Sequence, residues 1–119
     1  SAEAPAARPY RAAVVAASRD DLKVHAAALT LARSLREAGI ETHVDTRFGS
    51  LKSQMSRANE QLGASVVLLL GGNELANGTV TLRDMTRAKD DPDKQRDVAR
   101  DGVLDAVLAH RRALGEPKP

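Results

Sequence analysis

The segment Ser65–Leu70 (SVVLLL) constrains this chain more than any other. It is far shorter than the roughly 18 apolar residues that read as a bilayer span. Bounded by Gly63 and by Gly71-Gly72, it reads as a strand covered on both faces, as a parallel sheet between helices requires. Arg11–Ala17 (RAAVVAA) predicts a second strand of the same kind. Between them, Ser18 and Asp20 offer helix caps, Val24, Ala28, Leu31, Leu35 and Ala38 recur at helical spacing, and Gly39 stops the helix. Ile40–Thr46 (IETHVDT) alternates as a strand does, and Gly49-Ser50 opens a second helix whose inward stripe is Leu51, Met55, Ala58 and Leu62. The order strand, helix, strand, helix, strand predicts an α/β sandwich with a parallel three-stranded core.

Beyond Gly71-Gly72 the pattern changes. Asn73–Gly78 is too short for a full crossover helix, yet Thr79–Met85 (TVTLRDM) alternates again, which predicts an antiparallel return strand. Val80 and Leu82 share one face of it, and Thr79, Thr81 and Arg83 form a polar face on the other. Thr86–Lys94 reads as a solvated, mobile loop and Gln95–Ala99 as an edge strand. A last helix, capped by Asp101, turns Leu104, Val107, Leu108 and Leu114 inward. The Ala- and Pro-rich residues 1–9 read as a linker, 10–114 as one domain and 115–119 as a tail.

Several chemistries are excluded at this level. With no cysteine there is no thiolate metal site or thiol nucleophile, and His25, His43 and His110 fall on three different elements, so neither a catalytic nor a metal-binding residue is assigned. His25 and His110 are expected on exposed helix turns and His43 on a strand flank. Gly71-Gly72 lacks the glycine spacing of a phosphate loop and reads as a turn; Asp45 reads as a cap. No apolar run suits a membrane, and a soluble, cytoplasmic location is expected.

The 18 Lys and Arg against 16 Asp and Glu leave a net charge of +2, so contact with nucleic acid depends on local clustering. Arg47, Lys52 and Arg57 surround the start of the second helix, and Arg83, Arg87 and Lys89 follow the polar strand face. In the same order and at compact spacing stand LARSLREAGI (31–40), SLKSQ (50–54), ANEQLGA (58–64) and the stretch from Gly71 to Met85, GGNELANGTVTLRDM. Together these segments resemble the carboxyl-terminal anticodon-binding domain of histidyl-tRNA synthetase, a class II aminoacyl-tRNA synthetase. The resemblance spans nearly the whole of residues 10–114.

That resemblance implies a three-layer fold with a mixed five-stranded sheet, parallel core plus antiparallel strands, and three helices. It implies tRNA binding, of the histidine type, for a parent ligase of protein biosynthesis whose ATP and Mg belong to a separate catalytic domain, with no cofactor in this one. The parent is expected to be a homodimer. The alternative is a non-catalytic, synthetase-like regulatory or interaction module. In related domains the positions of Glu74 and Arg83 approach anticodon bases, and a carboxylate and a guanidinium can read the edges of splayed bases. Both are expected to flank the same end of the sheet. Lys52 and Gln54, at the amino end of the second helix, and Arg57, one turn on, are candidates for phosphate or base contacts. Phe48, ahead of Tyr10, is the candidate for aromatic stacking. Asp90, Asp91 and Asp93 are expected to repel RNA near the 86–94 loop.

Overall fold

The computed structural model describes residues 9–45 and 49–115. Five strands form one sheet in the order β2-β1-β3-β4-β5: β1 Ala12–Ala16, β2 Thr42–Val44, β3 Val66–Leu70, β4 Thr79–Asp84 and β5 Gln95–Ala99. β1 runs parallel to both β2 and β3, while β4 runs antiparallel to β3 and to β5. The mixed α/β sheet expected above is therefore present. Four α-helices accompany it among the described residues: α1 Leu22–Glu37, α2 Leu51–Ser56, α3 Gly72–Asn77 and α4 Val103–Ala113. α3 is a short addition to the three expected, formed where the residues after β3 make one further turn before Gly78 reverses the chain at φ +67°.

The period of two along the strands splits the core into two layers. Ala12, Val14, Ala16, Val66, Leu68, Leu70, Val80 and Leu82 pack with Val24, Ala28, Leu31 and Leu35 of α1 and with Val103 and Val107 of α4. Ala13, Val15 and Val67 point the other way, onto Ala58 and the partly buried Met55 and Leu62. Each fully buried Val or Leu contributes about 1.5–3 kcal/mol relative to exposure, so β3, whose Val66, Val67, Leu68 and Leu70 are sealed from solvent, is the chief anchor.

Local chemistry departs from the sequence pattern in identifiable places. Asp21, not Ser18 or Asp20, caps α1; its Oδ1 accepts from the amides of Lys23 and Val24. Ser50 caps α2 as expected. Leu51 is 44% exposed and packs against neither core layer, while Gln54 turns inward in its place. After α2 the helix widens into a π turn over Arg57–Gln61. Arg100–Gly102 forms a 3-10 turn ahead of α4, so Asp101 is no cap, and Leu114 lies exposed beyond the helix.

Two histidines expected at the surface are enclosed. His25 is buried, and its Nε2 lies 2.7 Å from the carbonyl of Arg19. His110 is held between Tyr10 Oη, 2.7 Å from Nδ1, and Asp84 Oδ1, 3.1 Å from Nε2. Burial and the nearby Asp84 push the Tyr10 phenol well above its ordinary value. His43, on the flank of β2, is exposed as expected and meets Glu41.

The 86–94 loop is knit together by its own side chains. Asp84 accepts from the amide and hydroxyl of Thr86 and from Arg87, which in turn reaches Asp91; Lys94 donates to the carbonyl of Arg87. Burial alone would raise the pKa of Asp84, but the hydrogen bonds from Thr86 and the approach of His110 outweigh it and hold the carboxyl below its ordinary 3.8. A carboxylate with a depressed folded-state pKa adds stability above its unfolded value, and that stability is lost as pH falls through the folded one. Urea midpoints followed downward from pH 4 should therefore fall less steeply in Asp84→Asn than in the parent chain. Equal acid limbs would show that this network carries no proton linkage.

Candidate nucleic-acid interface

Alternation along β4 separates its two faces as expected. Val80, Leu82 and Asp84 face the α1/α4 layer, where Val80 and Leu82 join the core, and Thr79, Thr81 and Arg83 lie on the other face. α2 covers that second face over β1 and β3; toward β5 the face opens, with Gln95 and Asp97 exposed, Arg83 half-buried and Thr81 buried. Arg83 stands there opposite Val67 of β3 and Gln95 of β5. Its Nε is enclosed and meets no hydrogen-bond partner.

Glu74 lies in the first turn of α3, after the carboxyl end of β3. Its carboxylate folds back over Gly71: a Cβ at that glycine would stand 3.2 Å from Glu74 Oε1 and 3.4 Å from the Cβ of Ala17. The acid thus sits where the chain leaves the ends of β1 and β3. This is the switch point of the parallel part of the sheet, because the connection after β1 leads to one neighbour and that after β3 to the other. The two residues do not flank one end of the sheet, as the sequence reading had them. Register sets Arg83 against Val67 while Glu74 follows Leu70, a separation of about 10 Å along the strand. Among the described residues they form no ion pair with each other or with any other side chain.

The helix α2 distributes its polar residues differently from the sequence reading. Gln54 is 3% exposed. Its Oε1 accepts from the amide of Ala16 at 3.3 Å, and its Nε2 donates to the carbonyls of Ala16 and Gly49 at 3.0 and 2.8 Å. It is thereby committed to the protein, not to a ligand. β2 ends at Val44, opposite Val14, so the side-chain amide supplies at Ala16 the pairing that a longer β2 would have given. Arg57 is likewise engaged, donating to Asp45 in an ion pair and reaching Ser53 Oγ at 3.5 Å. Asp45 is the partner of Arg57, not simply a cap. The two line a cleft of about 390 Å³ between β2 and α2, on the flank of α2 away from Arg83. Lys52 is exposed in the first turn of α2 and makes no ion pair among the described residues.

Arg47 and Phe48 lie outside the described residues. Tyr10, the other aromatic considered for stacking, is tied to His110. Two acids of the 86–94 loop are engaged on the other side of the sheet: Asp91 is paired with Arg87, and Asp93 borders a cleft of about 250 Å³ with Arg87, Arg96 and His110 beside α4. Repulsion of RNA by these two acids is therefore not expected at Arg83. The reason is the parity of β4, which sends Asp84, the anchor of the loop, to the opposite face from its neighbour Arg83.

The chain is an α/β domain built on a mixed five-stranded sheet, with Glu74 after the end of β3 and Arg83 on the face of β4 that α2 does not cover. The family model described as "Anticodon binding domain" matches residues 11–110, and the chain belongs to that family. It is 40% identical over 108 residues to a histidine–tRNA ligase of Nitratidesulfovibrio vulgaris (strain DP4), covering 91% of this chain and 23% of that protein. A histidine–tRNA ligase of Anaeromyxobacter sp. (strain K) is 45% identical over 65 residues, 55% of this chain and 16% of its own. The chain thus spans less than a quarter of the length of these relatives, and it is an anticodon-binding domain. The crystal structure of the RNA binding domain of threonyl-tRNA synthetase from Cryptosporidium parvum Iowa II shares the fold, with a TM-score of 0.69 at 22% identity over 86% of this chain and 24% of that one. No helix among the described residues is long and apolar enough to cross a membrane.

Proposed function

We propose that this domain grips the anticodon stem-loop of a histidine-type tRNA and so positions that tRNA for a catalytic domain elsewhere in the same parent ligase. The observation that carries this reading is the pair Glu74 and Arg83. One is an acceptor and the other a donor, both are half-buried, and neither has a hydrogen bond or ion pair among the described residues. Half-burying a charge without a partner costs free energy, which a ligand returns by pairing with it. Their separation suits two different nucleotides of an unstacked loop, each offering its Watson–Crick edge. Lys52 adds a flexible, non-selective phosphate contact at the start of α2.

The test is a titration of the chain against a histidine-tRNA anticodon stem-loop and a scrambled-loop hairpin at two salt concentrations. Each phosphate neutralised on a single strand contributes about 0.7 to the slope of log affinity against log salt. Lys52→Ala should lower that slope by about this amount and weaken both hairpins alike, whereas Glu74→Ala should weaken only the cognate loop. Equal affinity of the parent chain for the two hairpins would mark it instead as a synthetase-like interaction module.

A further inference from the structure

The open sheet face carries one more charged group beside Arg83, which the reading above does not use. Asp97 lies on β5 opposite Thr81 of β4, and Thr81 Oγ1 donates to its Oδ1 at 3.1 Å. Arg83 is two residues along from Thr81 on the same strand, so Asp97 and Arg83 are diagonal neighbours across the β4/β5 pair, a relation that sets residue positions about 7–8 Å apart. They form no ion pair, although they are of opposite charge and share a face. Thr81 holds the acid to one side, and the Nε of Arg83 stays enclosed and unpaired.

We propose that Asp97 and Arg83 form a guanine-reading site on the open face of β4 and β5, with Thr81 as the residue that aims Asp97. This deepens the anticodon-loop reading and rests on it. An acceptor pair diagonal to a donor fork on one sheet face suits the base whose edge joins two adjacent donors, N1–H and the 2-amino group, to two adjacent acceptors, O6 and N7. Adenine offers a single amino group to the carboxylate and sets it beside the guanidinium, where two donors meet. Uracil and cytosine lack the second ring that would carry the acceptors across to Arg83. β5 is an edge strand with Gln95 and Asp97 exposed, so a base flipped from a loop reaches the pair, whereas one stacked in a duplex does not.

The experiment compares stem-loops in which one loop guanine at a time is replaced by inosine, which lacks only the 2-amino group. Binding is followed by fluorescence anisotropy. The parent chain should prefer guanine by about tenfold at one loop position, a difference equal to one good contact. Asp97→Asn should erase the preference at that position, weakening the guanine hairpin more than the inosine one, which keeps only the N1–H contact. Thr81→Val should reduce the preference in part, and Glu74→Ala should leave it intact. Urea midpoints of the same variants report the structural role of the Thr81–Asp97 hydrogen bond separately. A preference that survives in Asp97→Asn overturns this inference while leaving anticodon-loop binding standing. No preference of the parent chain for the cognate loop over the scrambled one overturns both.

Discussion

Arg83→Ala should abolish most of the domain's preference for its cognate loop while leaving its fold intact. A bidentate guanidinium contact to a base is worth about 1–3 kcal/mol of discrimination, or about five- to 150-fold in relative affinity. The stability side of the expectation comes from the enclosed, unpartnered Nε of Arg83. Removing a buried donor that has no acceptor relieves a desolvation cost of about 1–3 kcal/mol, and this offsets the packing lost with the aliphatic stem over the sheet. The unfolding free energy from urea titration should therefore stay within about 0.5 kcal/mol of the parent chain's. Arg83→Lys should keep the charge and hence the salt slope, but lose the planar fork and with it much of the loop preference. Parallel titrations of the cognate and scrambled hairpins check both statements. A variant that unfolds, or one that discriminates as before, would remove Arg83 from the reading face.

Gln54→Leu should be the most destabilising polar substitution among the sequence-derived site candidates. Leucine is of comparable volume, so little cavity is created. What is lost is the pairing of the Ala16 amide and carbonyl and of the Gly49 carbonyl. Buried backbone groups left without partners cost about 1–3 kcal/mol each before relaxation, and a net loss of about 2–4 kcal/mol is expected. It should show as a fall in the urea midpoint with an unchanged slope, because the unfolded surface is the same. Loop binding should weaken as well, since Gln54 fixes the start of α2, and with it Lys52, against the end of β1. A loss of RNA affinity without a loss of stability would reverse this assignment and return Gln54 to the ligand-binding face.

The site was unevenly legible in the sequence, for reasons that differ residue by residue. Glu74 and Arg83 were found through a resemblance whose motif spans the β3–α3–β4 turn, and period-two alternation alone put Arg83 on the polar face. Their relation to each other was not legible. Spacing in sequence says nothing about register, and it is the pairing of Arg83 with Val67 that separates it from Glu74. Gln54 was misread because a polar residue in the first turn of a helix is ordinarily solvated. Its burial follows from β2 ending two residues short of Ala16, a shortfall visible only once the strands are paired. His110 was read as exposed since its own helix offers no partner; Tyr10 and Asp84 come to it from 100 and 26 residues away.

What the sequence determined by itself is the part of this protein that depends on local periodicity and composition: a buried β3, a parallel neighbour, an antiparallel return strand with one polar face, and helices of the right phase to cover them. These follow because apolar burial is the dominant favourable term and its pattern is written along the chain. Tertiary structure alone decided which polar groups are paired inside the protein and which are not. Gln54 met Ala16 of β1 and Arg57 met Asp45 just beyond β2, while the side chains of Glu74, Arg83 and Lys52 met no partner among the described residues. A hydrogen bond needs its partner within about 3 Å and well aligned, and that condition is set by strand pairing between segments far apart in sequence.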